Sequence, residues 1–157
     1  MGDWVLLTYR VPREPSAPRL AIWRKLKQQG AAQLSDGLVA LPADARTREQ
    51  LDWVAEDVVA AGGTATVWIA RPASEAAERE LAQQLADARA AEYAAVISEA
   101  AAAAELAGPA RASALRRLRN EMRRISRRDF FPPAERDAAQ AAVRGLAASP
   151  APAAGTR

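Results

Sequence analysis

The sequence predicts an α+β fold, on three observations. Two β-prone runs, Trp4–Arg10 and Thr64–Ala70, bracket the first half of the chain, and a shorter pair flanks the turn Ser35-Asp36-Gly37. Two stretches with apolar residues at helical spacing separate these strands. Beyond residue 72 the composition turns to alanine, glutamate and arginine, all strong helix formers.

The first strand, Trp4–Arg10, ends against Pro12 and Pro15. Ser16 is placed to cap a helix, with Pro18 in the first turn, where a missing N–H costs little. Leu20, Trp23, Leu26 and Lys27 then recur at helical spacing, Arg19, Arg24 and Lys25 face outward, and Gly30 stops the helix. Residues 33–34 and 38–41 flank Ser35-Asp36-Gly37, where aspartate and glycine supply the positive φ of a tight hairpin turn. Asp44 caps a second helix carrying Leu51, Val54, Ala55, Val58 and Val59 on one face and ending at Gly62-Gly63. Thr64–Ala70 closes the set as the fourth strand. The order β-α-β-β-α-β is the split βαβ, ferredoxin-like arrangement, an antiparallel sheet with two helices on one face.

The remainder is helical. Residues 74–106 form a long helix opening at Ser74, with Leu81, Leu85, Ala88, Val96 and Ile97 as its apolar content, and Gly108-Pro109 breaks it. Leu115, Leu118, Met122 and Ile125 then fall at steps of 3, 4 and 3, a narrow coiled-coil-like seam. Asp129-Phe130-Phe131-Pro132-Pro133 turns the chain, with both phenylalanines expected to plug the turn into the core. A last helix over residues 133–146 points Ala139, Val143 and Leu146 inward. The chain thus divides into a ferredoxin-like domain over 1–72, an all-α helical hairpin extension over 73–147 and a low-complexity tail over 148–157 that is expected to be disordered.

Cysteine and histidine are both absent, which excludes disulfides, thiolate metal sites, cysteine nucleophiles, a Ser-His-Asp triad and the commonest zinc ligand. Asp36 and Asp44 form no convincing acid/base or metal pair, because turn and cap roles explain them. No metal, no cofactor and no catalytic residue is expected. No basic leader and no run of 18 apolar residues is found, so a cytoplasmic protein without membrane contact is expected.

Charge is the informative quantity. Residues 1–72 hold 9 Lys/Arg against 8 Asp/Glu, residues 73–109 hold 2 against 7, and residues 110–157 hold 11 against 4, within a net charge of only +3. The basic residues are arginine throughout except Lys25 and Lys27. Arginine's planar fork suits carboxylate, phosphate and other oxyanions. Residues 111–128 carry eight arginines against Glu121 alone, a helix able to hold nucleic-acid phosphates. The structural alternative is that the acidic helix before it lies alongside and neutralises it. Arg10, Arg13, Arg19 and Arg24 gather after the first strand, either as a site for a tetrahedral oxyanion or as a solvated basic edge. Trp4, Trp23, Trp53 and Trp68 fall one per element; at least three are expected in the core, and one exposed to stack on a base or a partner.

As an ordered set these pieces resemble the N-terminal region of ChrB-type chromate resistance proteins. The resemblance is carried by residues 4–7, Pro12-Arg13-Glu14-Pro15-Ser16, Arg19, Ile22-Trp23-Arg24-Lys25-Leu26, Gly30-Ala31, Asp36-Gly37, Leu41-Pro42, Gly62-Gly63 and Arg127-Arg128-Asp129-Phe130-Phe131-Pro132, and it spans residues 3–147. It implies a non-enzymatic regulator of a chromate-efflux operon, with DNA and the chromate dianion as partners and a homodimer as its assembly. Arg116, Arg119, Arg123, Arg124, Arg127 and Arg128 are then the DNA-phosphate candidates, and Arg10, Arg13, Arg19 and Arg24 the oxyanion candidates. Such proteins continue into a C-terminal chromate resistance domain, whereas this sequence stops at Arg157. A fragment, a shortened response or a separate protein carrying that domain is therefore expected.

The first 70 residues also resemble, more faintly, the ferredoxin-like domain of phenylacetate-pathway repressors and of CRISPR adaptation nucleases. In the nucleases an aspartate ends the first strand and helps hold a metal at a dimer interface; Arg10 occupies that neighbourhood here. A metal-dependent nuclease dependent on Asp36, and a partner-binding module without nucleic-acid contact, are the alternatives.

Overall fold

The computed structural model describes residues 2–149, so residues 150–157 of the expected tail lie outside the described residues. Among the described residues the chain is α+β, with a four-stranded antiparallel sheet and five helices. It divides into two compact units, one ending at Leu85 and the other beginning at Ala86.

The first unit holds β1 (Trp4–Arg10), α1 (Ser16–Gln29), β2 (Ala32–Ser35), β3 (Leu38–Pro42), α2 (Ala45–Ala60), β4 (Thr64–Ala70) and the opening turns of α3 (Glu75–Ala103). The sheet runs β2-β3-β1-β4, with β1 antiparallel to both neighbours. Val5 lies opposite Leu41 and Leu7 opposite Val39, so strand alternation gathers these four buried side chains on one face. Ile22 and Leu26 of α1 and Leu51, Val54 and Val58 of α2 are buried with them. On the other face Trp4 is buried and its indole N–H donates to Glu78 Oε1 at 3.2 Å, while the Gln84 side chain donates to the Gln33 carbonyl at 3.0 Å.

Local chemistry sets the element ends. Gly30 adopts φ 76° as the C-cap of α1. Asp44 accepts from the Thr47 N–H at 2.7 Å while the Asp44 N–H donates to Thr47 Oγ1 at 2.9 Å, a reciprocal capping box that opens α2. Gly37, at φ 72°, turns the hairpin, and its carbonyl accepts from the Tyr9 N–H at 2.9 Å; a side chain there would collide with the Tyr9 carbonyl.

Several expectations need correction. Ser16 is the first helical residue rather than the cap; Pro15 holds the cap position, with no side-chain hydrogen bond. The buried stripe of α1 runs through Ile22 and Leu26, leaving Leu20 and Trp23 outside it, and Val59 lies outside the buried face of α2. Only Trp4 among the tryptophans is buried. Trp23 and Trp53 each sit one residue off a buried position, and Trp68 lies on the sheet-edge strand, its indole N–H donating to Thr8 Oγ1 at 2.9 Å.

The second unit holds the rest of α3, α4 (Gly108–Arg127) and α5 (Glu135–Ala148). Tyr93, Val96, Ala100 and Ala103 of α3 pack with Ala114, Leu118 and Ile125 of α4 and with Ala139, Val143 and Leu146 of α5. Leu115 and Met122 flank the core, so the expected α4 seam forms. On α3 Ala88 is exposed and Arg89 is buried. Phe130 and Phe131 are half-buried rather than core residues.

Candidate anion-binding surfaces

In the first unit a cleft of about 990 Å³ opens beside the end of β1. Arg10 ends β1, Arg13 follows it, and α1 contributes Arg19, Trp23 and Lys27, which the i, i+4, i+8 spacing aligns on one helix face. Gln33 and Asp36 of the hairpin also line it. Lys27 Nζ sits 4.7 Å from the centre of the Trp23 ring, within cation–π range. Among the described residues Arg10, Arg13 and Arg19 are exposed and have no ion pair or side-chain hydrogen bond. Gly63 packs so tightly on the Arg10 carbonyl that any side chain there would collide with it. Arg24, grouped with these arginines from the sequence, lines a different groove with Lys25 and Asp57, where Lys25 Nζ pairs with Asp57 Oδ2 at 2.6 Å.

In the second unit α4 turns a basic face to solvent. Arg116, Arg117, Arg119, Arg123, Arg124 and Arg127 are exposed and cover roughly 160° of the helix, opposite buried Ala114, Leu118 and Ile125. Arg116, Arg117 and Arg119 have no ion pair among the described residues. Among the described residues Arg123 and Arg124 bond only within their own helix, to Asn120 and Glu121. Arg119, Arg123 and Arg127 border a groove of about 710 Å³, joined by Arg144 of α5.

Two arginines of the predicted run serve the fold. Arg111 donates to the carbonyls of Ala104 at 2.9 Å and Leu146 at 3.0 Å, tying the α3–α4 turn to the end of α5. Arg128, expected at phosphate, donates instead to Glu92 Oε2 at 2.8 Å, with a side chain only 16% exposed. Arg89, buried beside Glu92, donates to the Arg128 carbonyl at 3.2 Å; burial lowers its pKa from the ordinary guanidinium value. Next to this pair the fully buried Tyr93 donates its hydroxyl to Asp129 Oδ2 at 2.7 Å, and burial followed by that bond pushes its pKa up to about 12.

The structure thus brings Arg10, Arg13 and Arg19 together and leaves out Arg24; it aligns Arg116, Arg119, Arg123, Arg124 and Arg127 and turns Arg128 inward. Sequence reasoning missed Trp23 and Lys27 as cleft residues, although their spacing from Arg19 signals a shared face. It also missed Arg144, which nothing local in the sequence marks. Among the described residues no helix is long and apolar enough to cross a membrane.

The molecule is therefore an α+β protein with two arginine-lined surfaces, one on each unit. Residues 19–151 match the family model described as Protein ChrB, N-terminal. Protein ChrB of Cupriavidus metallidurans is 31% identical over 133 residues, a match covering 82% of this chain and 40% of that protein. The chain accordingly spans well under half the length of that curated relative. No solved structure matches it. The chain belongs to the ChrB N-terminal family.

Proposed function

We propose that this chain is the DNA-facing part of a chromate resistance regulator, non-enzymatic and cytoplasmic, with α4 holding DNA phosphates and Arg10, Arg13 and Arg19 holding a tetrahedral oxyanion. The observation that carries the proposal is the state of the α4 arginines. Glu92 of α3 takes Arg128 out of the run, whereas Arg116, Arg117 and Arg119 have no ion pair among the described residues and keep their fixed charge exposed. Each such guanidinium placed on a phosphate releases a condensed counterion and adds to affinity. Chromate is a tetrahedral dianion, and the forked donors of three unpaired arginines suit it.

For the first unit the proposal is a ferredoxin-like domain, supported by the antiparallel order β2-β3-β1-β4 and by α1 and α2 being buried against one face. The second unit is proposed as a helical hairpin with a closing helix. The exposed edge strand β4, with Trp68 and Ile69 outward, supports a homodimer formed through the sheet edge. The greater length of the ChrB relative supports a further chromate resistance domain acting with this one, on the same or another polypeptide. Nuclease chemistry is left out of the proposal, because Arg10 ends β1 and Asp36 stands alone on a hairpin turn among cleft residues that are otherwise neutral or basic.

Fluorescence anisotropy on DNA from upstream of the protein's own gene, against scrambled DNA, tests this reading. Preference for the upstream DNA, released by chromate and not by sulfate, is expected. Absence of binding at low salt would favour the partner-binding module, in which the arginine helix serves protein contacts.

A further inference from the structure

We propose that the cleft of the first unit takes a phosphate ester carrying a nucleobase, a class that includes a mononucleotide and the phosphorylated end of a single strand. The inference rests on the reading of Arg10, Arg13 and Arg19 as an anion site and goes beyond it, from a bare oxyanion to a nucleotide.

Three features of the cleft are unexplained by an inorganic oxyanion. The first is size: about 990 Å³ is at the upper end of clefts that hold whole organic ligands, and a tetrahedral oxyanion fills only a corner of it. The second is Trp23. Its indole is 46% exposed, although a side chain of this size ordinarily gains most by burial; it stands between Arg19 and Lys27 on the same helix face. Lys27 Nζ covers one face of the indole, 4.7 Å from its centre, and the opposite face is the stacking platform for a base whose phosphate the neighbouring cations hold. The third is Asp36. Among the described residues this carboxylate has no hydrogen bond or ion pair, and it lines the same cleft as Gln33. A carboxylate repels a bare dianion, but it accepts from the exocyclic amino group of a base, and Gln33, which spends one amide N–H on the Ser35 carbonyl at 2.8 Å, has a second to donate to the ring. The phosphate end is thus assigned to Arg10, Arg13, Arg19 and Lys27, the stacking to Trp23 and the base edge to Asp36 and Gln33.

Calorimetric titration of the full chain tests the assignment. The ligands are inorganic phosphate, ribose 5-phosphate, adenosine 5′-monophosphate, and a short single-stranded oligonucleotide with and without a 5′ phosphate. Adenosine monophosphate is expected to bind roughly tenfold more tightly than ribose 5-phosphate, the worth of one base stack. Trp23→Ala should erase that advantage, so that adenosine monophosphate and ribose 5-phosphate bind alike, while Arg13→Gln with Arg19→Gln should weaken every phosphate ligand. Trp23 lies outside the core, so Trp23→Ala leaves the fold standing. A preference for the 5′-phosphorylated strand over the mononucleotide assigns the cleft to strand ends, and the reverse assigns it to free nucleotides. Equal binding of ribose 5-phosphate and adenosine monophosphate would overturn the inference and leave the anion site intact. Absence of binding by every phosphate ligand would overturn both.

Discussion

Tyr93 shows how one side chain fixes the turn before α5. Its ring is fully buried, its hydroxyl donates to Asp129, and the other Asp129 oxygen, Oδ1, is buried without a hydrogen bond. Tyr93→Phe would deprive the carboxylate of this donor and should lower stability by about 1–3 kcal/mol, read as a shift in the urea unfolding midpoint. The pH dependence has a definite sign. The folded state raises the tyrosine pKa from 10.0 to about 12, so the stabilisation is complete below pH 10 and is lost as pH rises toward 12. Wild type should lose this increment over that window, whereas Tyr93→Phe should lack it; coincident alkaline curves would contradict the assignment. The Asp129 motif was visible in the sequence but its partner was not. A lone tyrosine in an alanine-rich helix carries no local mark of a carboxylate 36 positions later.

At the scale of elements, α4 and α5 were legible because polar and apolar residues contrast sharply along them. Leu118 and Ile125 on one side and Ala139, Val143 and Leu146 on the other occupy the buried positions that their spacing marks. Leu118 is fully buried in that core, and Leu118→Ala should cost about 2–5 kcal/mol in chemical unfolding; a cost below about 1 kcal/mol would mean that the core does not depend on this seam. In α3 the contrast fades, since alanine serves either face. Its core path runs through Arg89 and Tyr93 rather than Ala88, and no hydrophobic pattern assigns an arginine to the inside. The strands were legible from β-propensity and turn chemistry, with Asp36-Gly37 and the Asp44–Thr47 capping box acting as local signals. The tryptophans misled because residue type outweighed position. Trp23 and Trp53 lie one place off the buried stripes, where helix geometry turns them outward.

Across the whole molecule, the block asymmetry of charge was the clearest guide to where an exposed basic surface lies. The basic surplus beyond residue 110 becomes the exposed face of α4, while the acidic block contributes Glu92 to Arg128. What the sequence left hidden was the division of labour among like residues. Arg111 and Arg128 hold the fold, and Arg116, Arg117 and Arg119 remain available, a distinction made only by packing. The central claim is that this exposed face binds DNA phosphates, and the salt dependence of DNA affinity measures it most directly. The logarithm of affinity for wild type should fall linearly with the logarithm of salt concentration, with a slope of about 0.9 per phosphate contact. Arg116→Gln, Arg119→Gln and Arg123→Gln together should lower that slope by roughly 2–3 while leaving the helical circular dichroism unchanged. A slope unaltered by the three substitutions, or no DNA retention by wild type at low salt, would contradict the claim.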